Sequence, residues 1–192
     1  MISPSIRTKA LIAIFIALAG TSTSPQQPIP PDLPRHDGVY YSRGTNKISL
    51  GKITVADVRT ARLYRALVPG LTPSVLHIFK GMQSPDQLDE SQPTFFVRKL
   101  EGWNGEKIYL LKLDAKPRSR ELQVLKGATV KSFKPGFPRR RMVDLSVTEL
   151  SSDVVSITPS HALSPGEYLI TTGVAGAEGF DFGIVGNAQI AN

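Results

Sequence analysis

The sequence predicts an all-β protein, an immunoglobulin-like Greek-key β-sandwich with a small N-terminal β subdomain. Three observations lead there. From residue 94 onward, short apolar segments recur every ~8–14 residues with turn-forming residues between them, the rhythm of a sandwich or barrel. Those segments are β-branched and aromatic, as in 94–100 (TFFVRKL) and 108–113 (IYLLKL). Finally, Leu163-Ser164-Pro165-Gly166-Glu167-Tyr168 fits a tyrosine corner, in which a Tyr near the start of the penultimate strand returns its hydroxyl to upstream backbone.

Taken in order, residues 1–19 read as a secretory signal peptide. Arg7 and Lys9 stand there without an acid, 10–18 (ALIAIFIAL) is unbroken apolar sequence, and Ala17 and Ala19 precede Gly20. The apolar run is shorter than the roughly 20 residues a bilayer core requires. The mature chain is therefore expected to be periplasmic or secreted and to carry no transmembrane span. Residues 20–36, rich in Pro, Ser and Gln, read as an extended tether. The subdomain is expected over 37–80. Val39, Tyr40 and Tyr41 form strands readily, Gly44-Thr45-Asn46 is turn chemistry, and Ile48 and Leu50 alternate with polar neighbours, which together give a hairpin. Residues 53–68 fit either a helix with Tyr64 and Leu67 inward or a strand over 62–68, and Pro69-Gly70 ends either one. A short strand follows at 75–79 (VLHIF), then a polar loop over 81–93.

The sandwich is expected over 94–185. Strands at 94–100, 108–113 and 121–125 (ELQVL) are separated by turns at 102–106 and 117–120, with Leu122 and Val124 on one face. Residues 127–141 read as a long basic loop. Alternation over 142–150 places Val143, Leu145 and Val147 inward. Strands at 154–157, 167–171 and 180–185 complete the sandwich, and 186–192 is a tail. Within the corner, Leu163 fills the core beneath the arch, Pro165 fixes φ, Gly166 takes the turn conformation and Tyr168 supplies the pinning hydroxyl.

The chain has 23 basic and 16 acidic residues, is 41% apolar and contains no cysteine. Without cysteine there are no disulfides, no thiol catalysis and no thiolate metal sites, so the core alone must hold an exported domain together, which fits a bacterial envelope. The positive balance serves solubility or weak attraction to anionic polymers.

Several segments have a Gly-Val-Tyr-Tyr, Pro-Thr-Phe-Phe or Leu-x-Lys-Leu character: residues 38–41, 93–96 and 110–113. Arg-Glu-Leu-x-Val follows at 120–124, Leu-x-Pro-Gly-Glu-Tyr at 163–168 and Phe-Asp-Phe-Gly-Ile at 180–184. In these the chain resembles a family of uncharacterised exported bacterial proteins. The resemblance implies export and a β-rich domain, and names no catalytic residue.

Candidate chemistry is sparse. His36, His77 and His161 lie in separate segments, without the spacing of a metal site, and no cofactor motif is present. Gly173 to Gly179 is glycine-rich but joins two strands and lacks the Lys-Ser/Thr of a phosphate loop. Glu178 and Asp181 offer a carboxylate pair of the kind glycoside chemistry uses. The most suggestive surface is cationic: Lys126, Lys131, Lys134, Arg139, Arg140 and Arg141, interleaved with Phe133 and Phe137. Cations with aromatics suit a polyanion; the plainer reading is a solvated loop with its phenylalanines tucked into the sandwich. Trp103 is a further candidate for sugar stacking. The expectation is an exported, non-catalytic interaction or structural module whose partner is an envelope protein or an anionic polymer. The alternatives are a polyanion binder acting through 126–141 and an envelope-polymer hydrolase.

Overall fold

Residues 108–111 and 168–170 are apolar at consecutive positions, a pattern that a strand sustains only when both of its faces are covered. The computed structural model, which describes residues 29–60, 74–98, 107–125, 136–172 and 177–186, shows why. The described residues are nearly all β, with no α-helix among them, and form three sheets in three layers.

The first sheet runs β12 (Leu145–Ser151), β13 (Val154–Pro159), β7 (Phe95–Arg98), β1 (Gly38–Arg43), β2 (Asn46–Ser49). The middle sheet runs β11 (Met142–Val143), β8 (Ile108–Lys112), β14 (Gly166–Thr172), β15 (Glu178–Ile184), β3 (Lys52–Thr54), with β6 (Gln87–Leu88) pairing β15 in parallel. The third runs β4 (Asp57–Thr60), β5 (Ser74–Lys80), β10 (Ser119–Leu125), β9 (Asp114–Lys116). All other pairings are antiparallel.

The middle sheet is buried from both sides. Leu110, Tyr168, Ile170, Phe182 and Ile184 meet Val39, Phe95, Val97 and Ile157 of the first sheet. On the opposite face Leu111, Leu113 and Leu169 meet Val75, Phe79, Leu122 and Val124 of the third. A smaller cluster covers the outer face of the first sheet, where Leu33 packs with Tyr40, Phe96, Leu150 and Val154.

Three expectations change. Residues 37–80 do not stand apart as a subdomain: β1 pairs β7 with Tyr40 opposite Phe96, β3 pairs β15, and β5 pairs β10. A β hairpin such as β1–β2 has too little core to stand alone, and the strands of 37–80 are spread over all three sheets. The tether is not wholly extended, because Leu33 is buried against the first sheet and Lys47 faces Asp32 at 3.6 Å. The strand expected over 142–150 is divided between β11 of the middle sheet and β12 of the first, and Val147, on the same face of β12 as Leu145, is 53% exposed. At that edge the middle sheet ends in a two-residue strand, β11, which leaves Val147 uncovered. The helix considered over 53–68 is absent as far as Thr60, where β3 and β4 stand on either side of Val55 and Ala56. Residues 61–68, the turns at 69–70 and 102–106, Trp103 and the segments 1–28 and 187–192 lie outside the described residues.

Candidate functional site

The tyrosine corner is the most local of the expected features. Tyr168 Oη donates to the Ser164 carbonyl at 2.6 Å, which is the bond such a corner requires. Leu163 is buried in the sandwich core beneath it. Gly166 has φ +145°, in the region that favours glycine, and a Cβ there would lie 3.2 Å from Lys112 Cε. Lys112 Nζ sits 5.8 Å above the Tyr168 ring and donates to Ser164 Oγ, closing the arch from the middle strand.

The same device occurs once more, where sequence reasoning did not look. Tyr40 Oη donates to the His36 carbonyl at 2.7 Å, again across four residues and again with a glycine two positions before the tyrosine. Burial raises the Tyr40 hydroxyl above its ordinary value of 10.0, with Arg98 opposing the shift and Asp37 adding to it, so the group remains a donor. The signal was present as Gly-x-Tyr at both sites. We expect Tyr168→Phe and Tyr40→Phe each to cost about 0.5–1.5 kcal/mol, the value of one hydrogen bond. Unchanged urea midpoints would show that the hydroxyls gain nothing over water.

Charge converges where the sequence did not announce it. Arg120, on β10, is 2% exposed and reaches across the third and middle sheets. Its Nη1 pairs with Asp181 of β15 and lies 3.5 Å from Glu167 Oε2 of β14. Its Nη2 donates to the Lys80 carbonyl at 2.9 Å and its Nε to the Gly81 carbonyl at 3.2 Å. Glu167 also accepts from Ser84 N at 2.7 Å and from Gln87 Nε2 at 3.3 Å, while Ser84 Oγ donates to the Asp181 carbonyl. Gly183 has no side chain because a Cβ there would run into the Gln87 amide. The three segments Arg-Glu-Leu-x-Val, Leu-x-Pro-Gly-Glu-Tyr and Phe-Asp-Phe-Gly-Ile thus meet through one charged residue each. Buried charges need partners of this kind. The cluster ties three layers and the 81–88 connection together. It is closed to solvent, so its role is positional.

Glu178 and Asp181 are not brought together. They are three apart on one strand and so face opposite sides: Glu178 is exposed and pairs with Lys52 at 3.1 Å, whereas Asp181 points at Arg120. These two residues therefore do not form the carboxylate pair that glycoside chemistry uses.

The basic segment is also reorganised. Lys126, Lys131, Phe133 and Lys134 lie outside the described residues. Phe137 is buried, edge-on to Tyr109 with ring centres 5.2 Å apart, so it is unavailable for stacking a base. A short 3-10 turn holds Arg139, Arg140 and Arg141. Each has a partner: Arg139 bonds both Asp144 oxygens at 2.8 Å, Arg140 bonds Gln123 Oε1 at 2.7 Å, and Arg141 pairs with Asp114. His36 and His161 are exposed on separate segments and His77 is on β5; no metal-binding group of His, Cys, Asp or Glu occurs among the described residues.

Between β11 and β12 the two sheets of the sandwich part into a cleft of about 330 Å³. Its floor is Ile108, Val143 and Val155, and its rim carries Lys107, Arg139 and Glu149, with Val147 on its wall. An apolar floor with a few charged groups at the rim is the make-up of a binding site. A smaller cleft of about 170 Å³ lies beside the Lys52–Glu178 pair. No helix among the described residues is long and apolar enough to cross a membrane. Comparison with family models, with curated proteins and with solved structures finds no match for the chain.

Proposed function

We propose that this chain is an exported, non-catalytic interaction module, built on an immunoglobulin-like Greek-key sandwich, that takes its partner at the β11–β12 cleft. The sandwich assignment is supported by strand order. The orders β12-β13-β7-β1 and β11-β8-β14-β15 are those of strands D-E-B-A and C′-C-F-G, with the Tyr168 corner at the start of F. The third sheet is then an insertion between strands C and C′, joined by strands from between A and B. Export rests on the sequence of residues 1–20.

The observation that carries the binding role is the cleft, where an apolar floor opens beside an edge strand bearing an exposed valine. Edge strands accept extended peptides by main-chain pairing, with neighbouring pockets taking alternate side chains. Arg139 and Arg140 remain exposed on the same flank and favour a second reading, an anionic polymer. Selection of random seven-residue peptides on the immobilised chain separates the two. We expect enrichment of peptides with alternating apolar residues, their binding lost in Val147→Lys and retained when Arg139 and Arg140 are both changed to Ser. Enrichment of acidic peptides whose binding follows the arginines and falls steeply with salt would replace this reading by the polyanion one.

A further inference from the structure

We propose that the partner taken at this edge is a second copy of the chain, docked by antiparallel pairing of β12 with β12 about a two-fold axis at Val147. The inference deepens the binding-module reading and rests on it.

The backbone supplies the first argument. Ser160 N donates to the Asp144 carbonyl at 2.9 Å, and Leu145 stands opposite Pro159 in the β12–β13 register. In an antiparallel ladder, bonded and non-bonded residues alternate. Asp144, Ser146 and Thr148 therefore turn their N–H and C=O toward β13, and Leu145, Val147 and Glu149 turn theirs outward. No described strand pairs with that edge. The register holds to Glu149, after which a bulge ends it.

A pairing that sets Val147 against the second copy's Val147 sets Leu145 against its Glu149. All of these are outward-bonding residues, so each pair can exchange both backbone bonds. It also places the two valines side by side on one face, where directly opposed side chains sit within about 5.5 Å. Each would cover the apolar surface that the short β11 leaves open.

Edge protection supplies the second argument. Natural sheets blunt free edges with Lys, Pro or dense charge. Here the edge strand β3 carries the exposed Lys52, and β4 the exposed Asp57 and Arg59. In contrast β12 reads Leu-Ser-Val-Thr-Glu-Leu-Ser over seven residues, with Glu149 its one charge.

Charge supplies the third. Arg139 is held at the Leu145 end of the cleft by Asp144, and Glu149 stands at the other end. Antiparallel pairing carries each Glu149 to the Leu145 end of the other copy, beside Arg139. The edge is therefore complementary to itself under a two-fold, as an isologous interface must be.

Sedimentation equilibrium of the purified chain, from low to high micromolar concentration, tests this. We expect a monomer–dimer equilibrium in the wild type. Val147→Lys should remove it, as should Val147→Pro, which removes an outward N–H and none of those bonded to β13, and both should keep a cooperative melting transition. Glu149→Arg and Arg139→Glu should each weaken the dimer ~10-fold or more, and their combination should restore it, because charge reversal tests complementarity directly. Amide exchange at Leu145, Val147 and Glu149 should slow as concentration rises while that at Ser146 and Thr148 stays the same.

A wild type that stays monomeric throughout, a dimer indifferent to Val147→Lys, or a charge swap without recovery would overturn the proposal. Monomeric protein that still binds selected peptides through Val147 would remove the second copy and leave the binding module standing.

Discussion

Replacing Arg120 with Met is expected to destabilise the chain by about 3–5 kcal/mol, because removing one partner of a buried ion cluster strands the others. Methionine has nearly the length of the arginine stem, so little cavity opens and the loss is mainly electrostatic. Glu167 and Asp181 are left buried together without their cation, and the Lys80 and Gly81 carbonyls lose their donors. Against a total stability of roughly 5–15 kcal/mol, such a loss brings a chain at the lower end of that range near unfolding. A second variant keeps the argument testable if the first does not fold. Adding Glu167→Gln and Asp181→Asn removes the stranded charges while the one amide oxygen left at position 167 can still accept from Ser84 N. The triple variant should recover at least half of the loss by urea midpoint. A single variant within about 1 kcal/mol of wild type would mean that water reaches the site and screens it.

The same cluster explains where sequence reading succeeded and where it stopped. Strand positions from 94 onward were legible because apolar alternation and Gly/Pro turns are local. The Tyr168 corner was legible because its bond spans four residues. The third sheet was not foreseen, although the sequence held a sign of it: 108–113 and 168–171 lack the alternation of a sheet with one wet face. Nor could Arg120 be singled out among the chain's cations, since its partners lie 47 and 61 residues away. Glu178 and Asp181 were paired by proximity in sequence, but an odd spacing on a strand sends them to opposite faces. Val147 shows the limit of periodicity from the other side. Alternation correctly gives its face, but what covers that face depends on the length of a neighbouring strand in another sheet.

Phe182 is where the two sheets of the sandwich are fastened, and Phe182→Ala should cost about 3–5 kcal/mol, the transfer loss plus the cavity that a rigid surround cannot close. Its ring is fully buried, 4.8 Å from Phe95 of the first sheet and 5.5 Å from Tyr168, nearly parallel to the latter at 16°. The neighbours on either side are held by strand ladders, β7 between β1 and β13 and β14 between β8 and β15, so neither can slide into the gap. Phe182→Leu keeps most of the volume and should cost no more than about 1.5 kcal/mol. The stack adds a finer consequence. Tyr168 keeps its hydroxyl on the Ser164 carbonyl while its ring lies against Phe182. With that ring gone, Tyr168 is free to tilt and the corner bond should weaken before its hydroxyl is removed. Phe182→Ala combined with Tyr168→Phe should therefore cost less than the two changes summed, with a coupling of at least about 0.5 kcal/mol, as expected of residues in contact. Strict additivity of the two midpoints would show that the arch is held from Ser164 and Lys112 alone, and that the core beneath it does not set the tyrosine's geometry.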